Sequence, residues 1–289
     1  IHRSSNEIVE ETPNNRMVGF PYTKYMNSIM RVNQSAALVI TSAKKARELG
    51  IPESKWIFMY GGGCLNDIWN VTDRLNLHSS PAIKKCSQAI FNAANCTQAD
   101  ISFFDLYSCF PSAVQIARKE IGIPDGDNRD LTVTGGLPYY GGPGSAYVVN
   151  SIASMVSKLR ENPGKLGMVT ANGWFLTKHG AGVFSSNPFL GEWNQVIDSS
   201  HLQKEIENSD HPEFIEEANG KGLIETYTVL NSRDGPTKAI IIGLLEDGRR
   251  FVANTEKDEN LLNKMMQNEM LNTKGTVRFE NSRNIFQPD

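Results

Sequence analysis

Strand-like apolar runs alternate with amphipathic stretches over the first two thirds of the chain. Runs of strand character lie at 36–40, 56–60, 101–106, 131–134, 166–171 and 180–185. Apolar residues at helical spacing cover 43–49, 81–94, 112–121 and 147–161. Ser42 is suited to cap the first of these helices, Gly50 and Gly122 to end two of them, and the glycines at 61–63 to end the strand at 56–60. Strands that alternate with helices predict an α/β architecture to about residue 187.

The pattern changes after a segment rich in charged and amide residues, at 192–221. Three strand-like runs follow at 223–230, 237–245 and 249–254, with turn residues between them, and 276–280 is a further candidate strand. These runs predict a second, all-β domain. A small barrel is the expected closure, because it removes the exposed edges of a sheet.

Composition excludes several classes of function. The 289 residues include 29 basic and 32 acidic ones, for a net charge of −3, so we expect neither a nucleic-acid nor an anionic-membrane partner. Oligonucleotide binding by the β-rich tail, a weaker idea, lacks a basic surface. The apolar runs are far shorter than the roughly 20 residues of a membrane span.

The four cysteines form no Cys-x-x-Cys pair, and no His, Asp or Glu cluster has metal-ligand spacing. We therefore expect reduced thiols in an intracellular protein, with no metal, no redox motif and no disulfide scaffold.

Cys109 is the first residue of chemical interest. It lies between a predicted buried strand and a predicted helix, where backbone N–H groups and the positive end of the helix dipole would lower the pKa of a thiol. A small buried core residue is the other interpretation, since free cysteine is among the most buried types.

Two glycine-rich loops complete the set of candidates. Gly135, Gly136, Gly141 and Gly142 belong to the first loop, which precedes a helix and allows close approach of a ligand, or else is a tight connection. The chain has neither a dinucleotide fingerprint nor a P-loop. His179 lies in the second loop, at 172–180, and suits general acid–base work, although the spacing favours a hydrogen-bonded hairpin histidine. One thiol, one histidine and two such loops suggest acyl chemistry through a thiol.

Four segments resemble the back half of sterol-carrier-type thiolases, and more closely the thiolase-like proteins named acetyl-CoA acetyltransferases. They are 13–24 (PNNRMVGFPYTK), 105–112 (DLYSCFPS), 134–144 (TGGLPYYGGPG) and 170–179 (TANGWFLTKH). The segments 222–229 and 247–253 are similar to the extra C-terminal OB-like domain of these proteins.

The resemblance implies a fold class and a domain plan. The fold would be α/β, a thiolase fold whose second βαβαβαββ half is followed by a small all-β OB-like barrel. Residues 1–50 would be the end of the N-terminal half and the loop region, 51–190 the C-terminal half, and 191–289 the OB-like domain. The nucleophilic cysteine of a thiolase lies in the first half, which would precede this chain, and none of the four cysteines here matches it.

The resemblance also assigns roles to residues. Cys109 matches the cysteine of the family's His-Asp-Cys-Phe motif, although Tyr107 and Ser108 replace the histidine and the aspartate. Gly142 stands where the family has the histidine that activates the nucleophile. The family's Cys-x-Gly motif is absent, and His179 lies in that region as a substitute base. The substrate-binding set would consist of Gly135, Gly136, Gly141, Gly142 and Asn172, with backbone N–H groups of the first loop lining an oxyanion site.

Two functions follow as expectations. The first is a CoA-dependent acyltransferase of lipid metabolism that forms or cleaves a C–C bond between acyl units, with a coenzyme A thioester as substrate and no further cofactor. Its partners would be acyl-CoA and either a second copy or a chain that carries the N-terminal half. The alternative is an inactive acyl-CoA-binding or scaffold protein, because Gly142 cannot act as a base. We expect a cytoplasmic protein, with the mitochondrion and the peroxisome left open.

Overall fold

The structure, a computed structural model, describes residues 3–191 and 197–289. Its α-helices span Ser5–Val9 (α1), Ala43–Glu48 (α2), Pro81–Ala93 (α3), Pro111–Ile121 (α4), Leu137–Tyr140 (α5), Ala146–Glu161 (α6), Ser200–Glu207 (α7) and Glu259–Gln267 (α8). Its strands span Met17–Gly19 (β1), Tyr22–Thr23 (β2), Phe58–Asn66 (β3), Ile101–Asp105 (β4), Leu166–Gly173 (β5), Lys178–Ser185 (β6), Gly220–Ser232 (β7), Gly235–Leu245 (β8), Arg250–Asn254 (β9), Lys274–Glu280 (β10) and Arg283–Pro288 (β11). Within the described ranges no helix is long and apolar enough to cross a membrane.

The described residues divide into two compact units. The α/β unit comprises Ser28–Trp69 and Asn76–Ser209, and the β unit comprises the residues up to Asn27 together with Asn70–Leu75 and Asp210–Asp289. The domain limits at residues 50 and 190 stay predictions, since compactness does not say to which thiolase half a residue belongs. The start of the predicted charged segment, 192–196, lies outside the described residues.

The α/β unit is built on a four-stranded sheet in the order β3-β6-β5-β4. Strands β4 and β5 are parallel, whereas β6 is antiparallel to both of its neighbours. Consecutive strand residues point to opposite faces: Met168 packs in a core with α3 and α4, and Val169 packs with α6. Helices therefore cover both faces of the sheet, which confirms the predicted mixed α/β character.

Local signals set the ends of the helices in this unit as expected. The Ser42 hydroxyl accepts a hydrogen bond from the N–H of Lys45 at the start of α2, and Ser80 does the same for Ile83 at the start of α3. Helix α4 ends at Gly122, whose φ of 85° is left-handed.

Five strands of the β unit close into a barrel. Strand β7 pairs with β8, β8 with β9, β9 with β11, β11 with β10, and β10 returns to β7. The interior is filled by buried apolar side chains, and α8 contributes two of them, Leu262 and Met265. The predicted closure into a small barrel is thus confirmed.

The predicted strand at 36–40 is wrong. This segment has no strand partner among the described residues, and Val39 and Ile40 are 87% and 92% exposed. An apolar run becomes a strand only where a neighbour supplies hydrogen bonds, and neither described unit does so here.

Three further expectations are corrected. Residues 131–134 form a loop and not a strand, because their threonines bind a carboxylate, as described below. The glycines at 61–63 do not end a strand, since β3 continues through them to Asn66 in register with β6. Helix α8 and strand β11 were not anticipated, because both are short and amide-rich.

Candidate active site

Cys109 lies in the short connection between β4 and α4, as the sequence predicts. Its sulfur, Sγ, lies 3.7 Å from Nδ2 of Asn172, which donates to it from the end of β5. The backbone N–H groups of Cys109 and Phe110 also interact favourably with the thiolate form. The Asn172 amide is thus a side-chain donor in contact with a half-buried sulfur.

The expected effect on the pKa of the Cys109 thiol is reversed. Burial raises the pKa, and the backbone N–H groups and Asn172 only partly oppose this rise. Pro111, the first residue of α4, has no N–H to offer to the sulfur. Tyr107 is the neighbouring titratable group; burial raises its pKa, and so does the charge of a Cys109 thiolate.

The loop that begins at Gly135 is anchored by Asp105, a role that the sequence did not reveal. Asp105 is fully buried at the end of β4. One oxygen, Oδ1, accepts from the Thr132 hydroxyl at 2.6 Å, from the Val133 N–H at 2.9 Å, and from the N–H and hydroxyl of Thr134 at 3.2 and 3.1 Å. The other oxygen accepts from the hydroxyls of Tyr147 and Ser151.

The same threonines hold the glycine loop. The N–H of Gly135 donates to Thr132 Oγ1 at 3.0 Å, and the N–H of Gly136 donates to Thr134 Oγ1 at 3.1 Å. The N–H of Leu137 donates to Ser108 Oγ at 3.0 Å, which links the loop to the residue before Cys109. These N–H groups are thus engaged inside the protein.

Gly141 and Gly142 face another part of the unit. The N–H of Gly142 donates to the carbonyl of Ile29 at 2.8 Å, and the N–H of Gly141 donates to Leu137 at 3.2 Å. A Cβ at Gly142 would lie 2.1 Å from Ser28 Oγ, so a larger side chain does not fit unless Ser28 moves. Every N–H between 135 and 142 is donated within the protein in this conformation, so these residues have no free N–H for an oxyanion site.

His179 lies on β6 directly opposite Asn172 in the register of the β5–β6 hairpin. Its side chain is buried, and Nε2 lies 3.0 Å from Asp67 Oδ2 and 3.0 Å from the carbonyl oxygen of Leu176. Both partners are acceptors, so Nε2 carries the hydrogen and donates. The described hydrogen bonds of His179 go to this cluster and not to Cys109.

A small cleft lies beside this hairpin, between the sheet and the helices α3 and α4. Asn172, Tyr107 and His179 line it together with apolar residues, among them Ile83, Ala113 and Leu176. No group of three or more His, Cys, Asp or Glu side chains converges to hold a metal ion within the described ranges.

The structure thus brings Cys109 and Asn172 into contact, links the glycine loop to Ser108 through the N–H of Leu137, and directs the hydrogen bonds of His179 elsewhere. Sequence reasoning missed Asp105 and the pair Asp67–Ser80. A signal existed for Asp105, because a lone carboxylate at the end of an apolar strand must be buried with hydrogen-bond partners.

Comparison with known proteins agrees with this architecture. Residues 201–282 match the family described as thiolase-like protein type 1 additional C-terminal domain. A crystal structure of a monomeric SCP2-thiolase like protein type 1 from Mycobacterium smegmatis matches all of this chain and 62% of its own, with a TM-score of 0.90 and 34% identity. A 3-ketoacyl-CoA thiolase from Erwinia tasmaniensis is 28% identical over 159 residues.

The chain is shorter than these proteins. The alignment with the Erwinia thiolase covers 50% of this chain and 35% of that protein. The additional C-terminal domain coincides with most of the β unit, and the whole described fold matches the Mycobacterium structure. The chain therefore belongs to the thiolase superfamily, as a protein of the sterol-carrier-protein-2 type.

Proposed function

We propose that this chain is part of a thiolase-like, CoA-dependent acyltransferase in which Cys109 exchanges a proton with the second acyl unit. The observation that carries the proposal is the Asn172 amide, which donates to the sulfur of Cys109 at 3.7 Å. A thiol at the motif position, with donors that stabilise its thiolate, suits an acid–base role.

The proposed step combines a proton transfer to Cys109 with the formation of a C–C bond. An acyl group is carried as a thioester on a nucleophilic cysteine outside this chain. The Cys109 thiolate removes a proton from the α-carbon of an acetyl-CoA, so that a C–H bond breaks and an S–H bond forms. The electron pair forms a C–C bond to the acyl carbonyl carbon, and the nucleophile leaves as a thiolate. In the reverse direction the Cys109 thiol returns the proton.

A second function, acyl-CoA binding without condensation, is favoured by a separate observation. Gly142 has no side chain and packs against Ser28, and Nε2 of His179 is committed to two acceptors. Gly142 therefore offers no base to a nucleophile, and the described hydrogen bonds of His179 go to the Asp67 cluster. The loss of a general base lowers a rate by about 10²–10⁴-fold.

Thiolysis of acetoacetyl-CoA by free CoA separates the two functions. We expect turnover that falls at least about 100-fold in Cys109→Ala and is unchanged in the control Cys64→Ala, since Cys64 is an exposed thiol on β3. Turnover that survives Cys109→Ala contradicts the first function. Absence of turnover, with acetyl-CoA binding retained in calorimetry, favours the second.

The denaturing intact mass before and after incubation with acetyl-CoA tests where the nucleophile lies. We expect the acetyl group on a chain that carries the N-terminal thiolase half, either this polypeptide in a longer form or a partner. Acetylation of the 32.1 kDa chain on one of its own four cysteines would contradict this part of the proposal.

The proposal extends to the fold of the barrel and to the oligomeric state of the protein. We propose that the barrel is the OB-like domain, because its ring β7-β8-β9-β11-β10 with α8 between β9 and β10 matches that topology. A homodimer in the cytoplasm also belongs to the proposal, although the Mycobacterium relative is described as monomeric. Light scattering of the purified protein tests the oligomeric state.

A further inference from the structure

A buried polar cluster fastens the turn of the β5–β6 hairpin, and the proposed chemistry does not use it. His179 donates from Nε2 to the carbonyl of Leu176 inside the turn and to Asp67 outside it. Asp67 is itself buried and lies just beyond β3. The imidazole therefore joins the turn to a separate segment of the chain.

Asp67 extends the cluster to the start of α3. Its backbone N–H donates to the carbonyl of Thr177 at 2.8 Å. Its carboxylate accepts from the Ala82 N–H at 2.9 Å and from the Ser80 hydroxyl. The carbonyls of Leu176 and Thr177, which are consecutive in the turn, thus accept hydrogen bonds from His179 Nε2 and from the Asp67 N–H, respectively.

The turn requires such a restraint. Trp174 and Leu176 have φ values of 58° and 52°, in the left-handed region that is unfavourable for residues with a Cβ. The Trp174 ring is 67% exposed, so little burial of that ring compensates for its backbone conformation. The hydrogen bonds from His179 and Asp67 hold the turn, in addition to the Thr177 N–H that donates to the Gly173 carbonyl at 3.2 Å. The ring of Trp174 also contacts that of Trp69.

Asn172 depends on this turn for its contact with Cys109. Directly opposed residues of an antiparallel pair have their side chains on the same face, and Asn172 is opposed to His179. Its amide makes one contact of 3.7 Å to Sγ, and its Oδ1 is buried without a partner. The hairpin backbone, and not a network around the amide, therefore sets where Asn172 lies.

We infer that His179 is a positioning residue which, together with Asp67, holds the β5–β6 hairpin so that the Asn172 amide stays against the Cys109 sulfur. In this role His179 takes no proton from Cys109 or from substrate. The inference rests on the proposed roles of Cys109 and Asn172. It gives His179 a function other than the substitute base that the sequence suggested.

The test is the pH dependence of Cys109 alkylation by iodoacetamide, resolved from the other thiols by peptide mass spectrometry. The amide of Gln has two N–H donors and no basic nitrogen, so His179→Gln keeps the hydrogen bonds and removes the base. We expect the pH midpoint of Cys109 alkylation in His179→Gln to equal that of the wild type. In His179→Ala the hairpin loosens and Asn172 leaves Sγ, so the midpoint rises by about half to one pH unit.

A double variant shows whether the effect passes through Asn172. We expect Asn172→Ala to raise the midpoint as much as His179→Ala, and Asn172→Ala/His179→Ala to raise it no further, because both remove the same contact. Asp67→Asn, which breaks the same cluster, replaces His179→Ala if the latter does not fold. Tyr107, the titratable neighbour of Cys109, is unchanged in all variants.

Two outcomes overturn the inference. If His179→Gln raises the midpoint as much as His179→Ala, the imidazole acts on Cys109 as a base. If the two single shifts add in the double variant, His179 does not act through Asn172. Alkylation of Cys109 needs no CoA thioester. The positioning role of His179 can therefore be tested even if the thiolysis assay shows no turnover, and either proposal can fail without the other.

Discussion

At the scale of residues, two buried carboxylates organise the candidate site. Asp105 ends β4 and accepts hydrogen bonds from the loop that leads to Gly136. Asp67 follows β3 and binds the turn after Asn172 through its backbone N–H and through His179. Each carboxylate accepts several hydrogen bonds, which offsets the cost of burying a charge. The Asp105 carboxylate therefore holds its loop directly, whereas Asp67 holds the turn through its backbone N–H and through His179.

Asp105→Asn is expected to lower the free energy of unfolding by about 3 kcal/mol, since an amide N–H₂ would face donors that need an acceptor. Urea unfolding measures the change. The matched control is Asp130→Asn, a carboxylate on the exposed surface, for which we expect a change within about 0.5 kcal/mol. Equal effects for the two variants would contradict the anchoring role of Asp105.

Burial also sets the order in which the thiols react. It raises the pKa of Cys86 to about 12 and that of Cys96 to about 11, whereas Cys64 is exposed. With iodoacetamide at pH 8, mass spectrometry should find Cys64 labelled first and Cys86 last. A folded-state pKa above the ordinary 9.0 keeps the Cys86 thiol protonated as the pH rises, so its labelling increases only toward pH 12. In urea the difference should disappear.

At the scale of elements, the loop between α4 and α5 depends on backbone conformations that need glycine. Gly136 has φ 83° and ψ 160° before α5, a region that other residues reach only with strain. An added Cβ would also lie 2.8 Å from Ser108 Oγ, the atom that holds the N–H of Leu137. The glycines here shape the loop, and their N–H groups are used inside it.

Gly136→Ala is expected to lower the free energy of unfolding by about 1–3 kcal/mol and to displace Ser108 next to Cys109. The control is Gly126→Ala, which has open space around its Cβ position and no left-handed φ, and should change stability by no more than about 0.5 kcal/mol. Urea unfolding gives the stability, and the Cys109 alkylation rate reports on Ser108. An unchanged Gly136→Ala protein would mean that the loop relaxes freely.

At the scale of the whole molecule, each compact unit has its own means of tying distant segments together. In the β unit, Arg250 is 2% exposed and forms a bidentate pair with Glu225 at 2.7 and 2.6 Å. Its third nitrogen donates to the carbonyls of Thr72 and Arg74. One guanidinium thus fastens a segment from the first third of the chain to the barrel, and it is not available to a nucleic acid.

Arg250→Ala is expected to lower the free energy of unfolding by about 3–5 kcal/mol, since it leaves Glu225 and two carbonyls without their partner. Arg249→Ala is the neighbouring control. Arg249 pairs with Asp247 in solvent, and such pairs contribute about 0–1 kcal/mol. Thermal and urea unfolding measure the stability of both variants. A loss of stability that is no larger for Arg250→Ala than for Arg249→Ala would contradict the role of Arg250 in joining the two segments.

Much of the fold follows from local pattern. The helices α3, α4 and α6, the strands of the hairpin and the first three barrel strands were predictable, because each combines a clear period with a cap or turn residue. The segment 36–40 and the extension of β3 beyond residue 60 were not, since pairing partners far along the chain decide whether a residue extends a sheet. The period of a sequence contains no information about those partners.

By itself, the sequence determined the α/β layering, the barrel, the place of Cys109 between a strand and a helix, and the resemblance that the comparisons support. These properties rest on neighbours in the chain and on short motifs. Only the tertiary structure decided that Asn172 meets Cys109, that Asp105 and Asp67 are the anchors, and that His179 donates to Asp67 and Leu176. The contacts of Asp105 with Thr132, of Asn172 with Cys109 and of His179 with Asp67 join residues 27, 63 and 112 positions apart. Hydrogen bonds over such separations are set by how the chain folds back on itself.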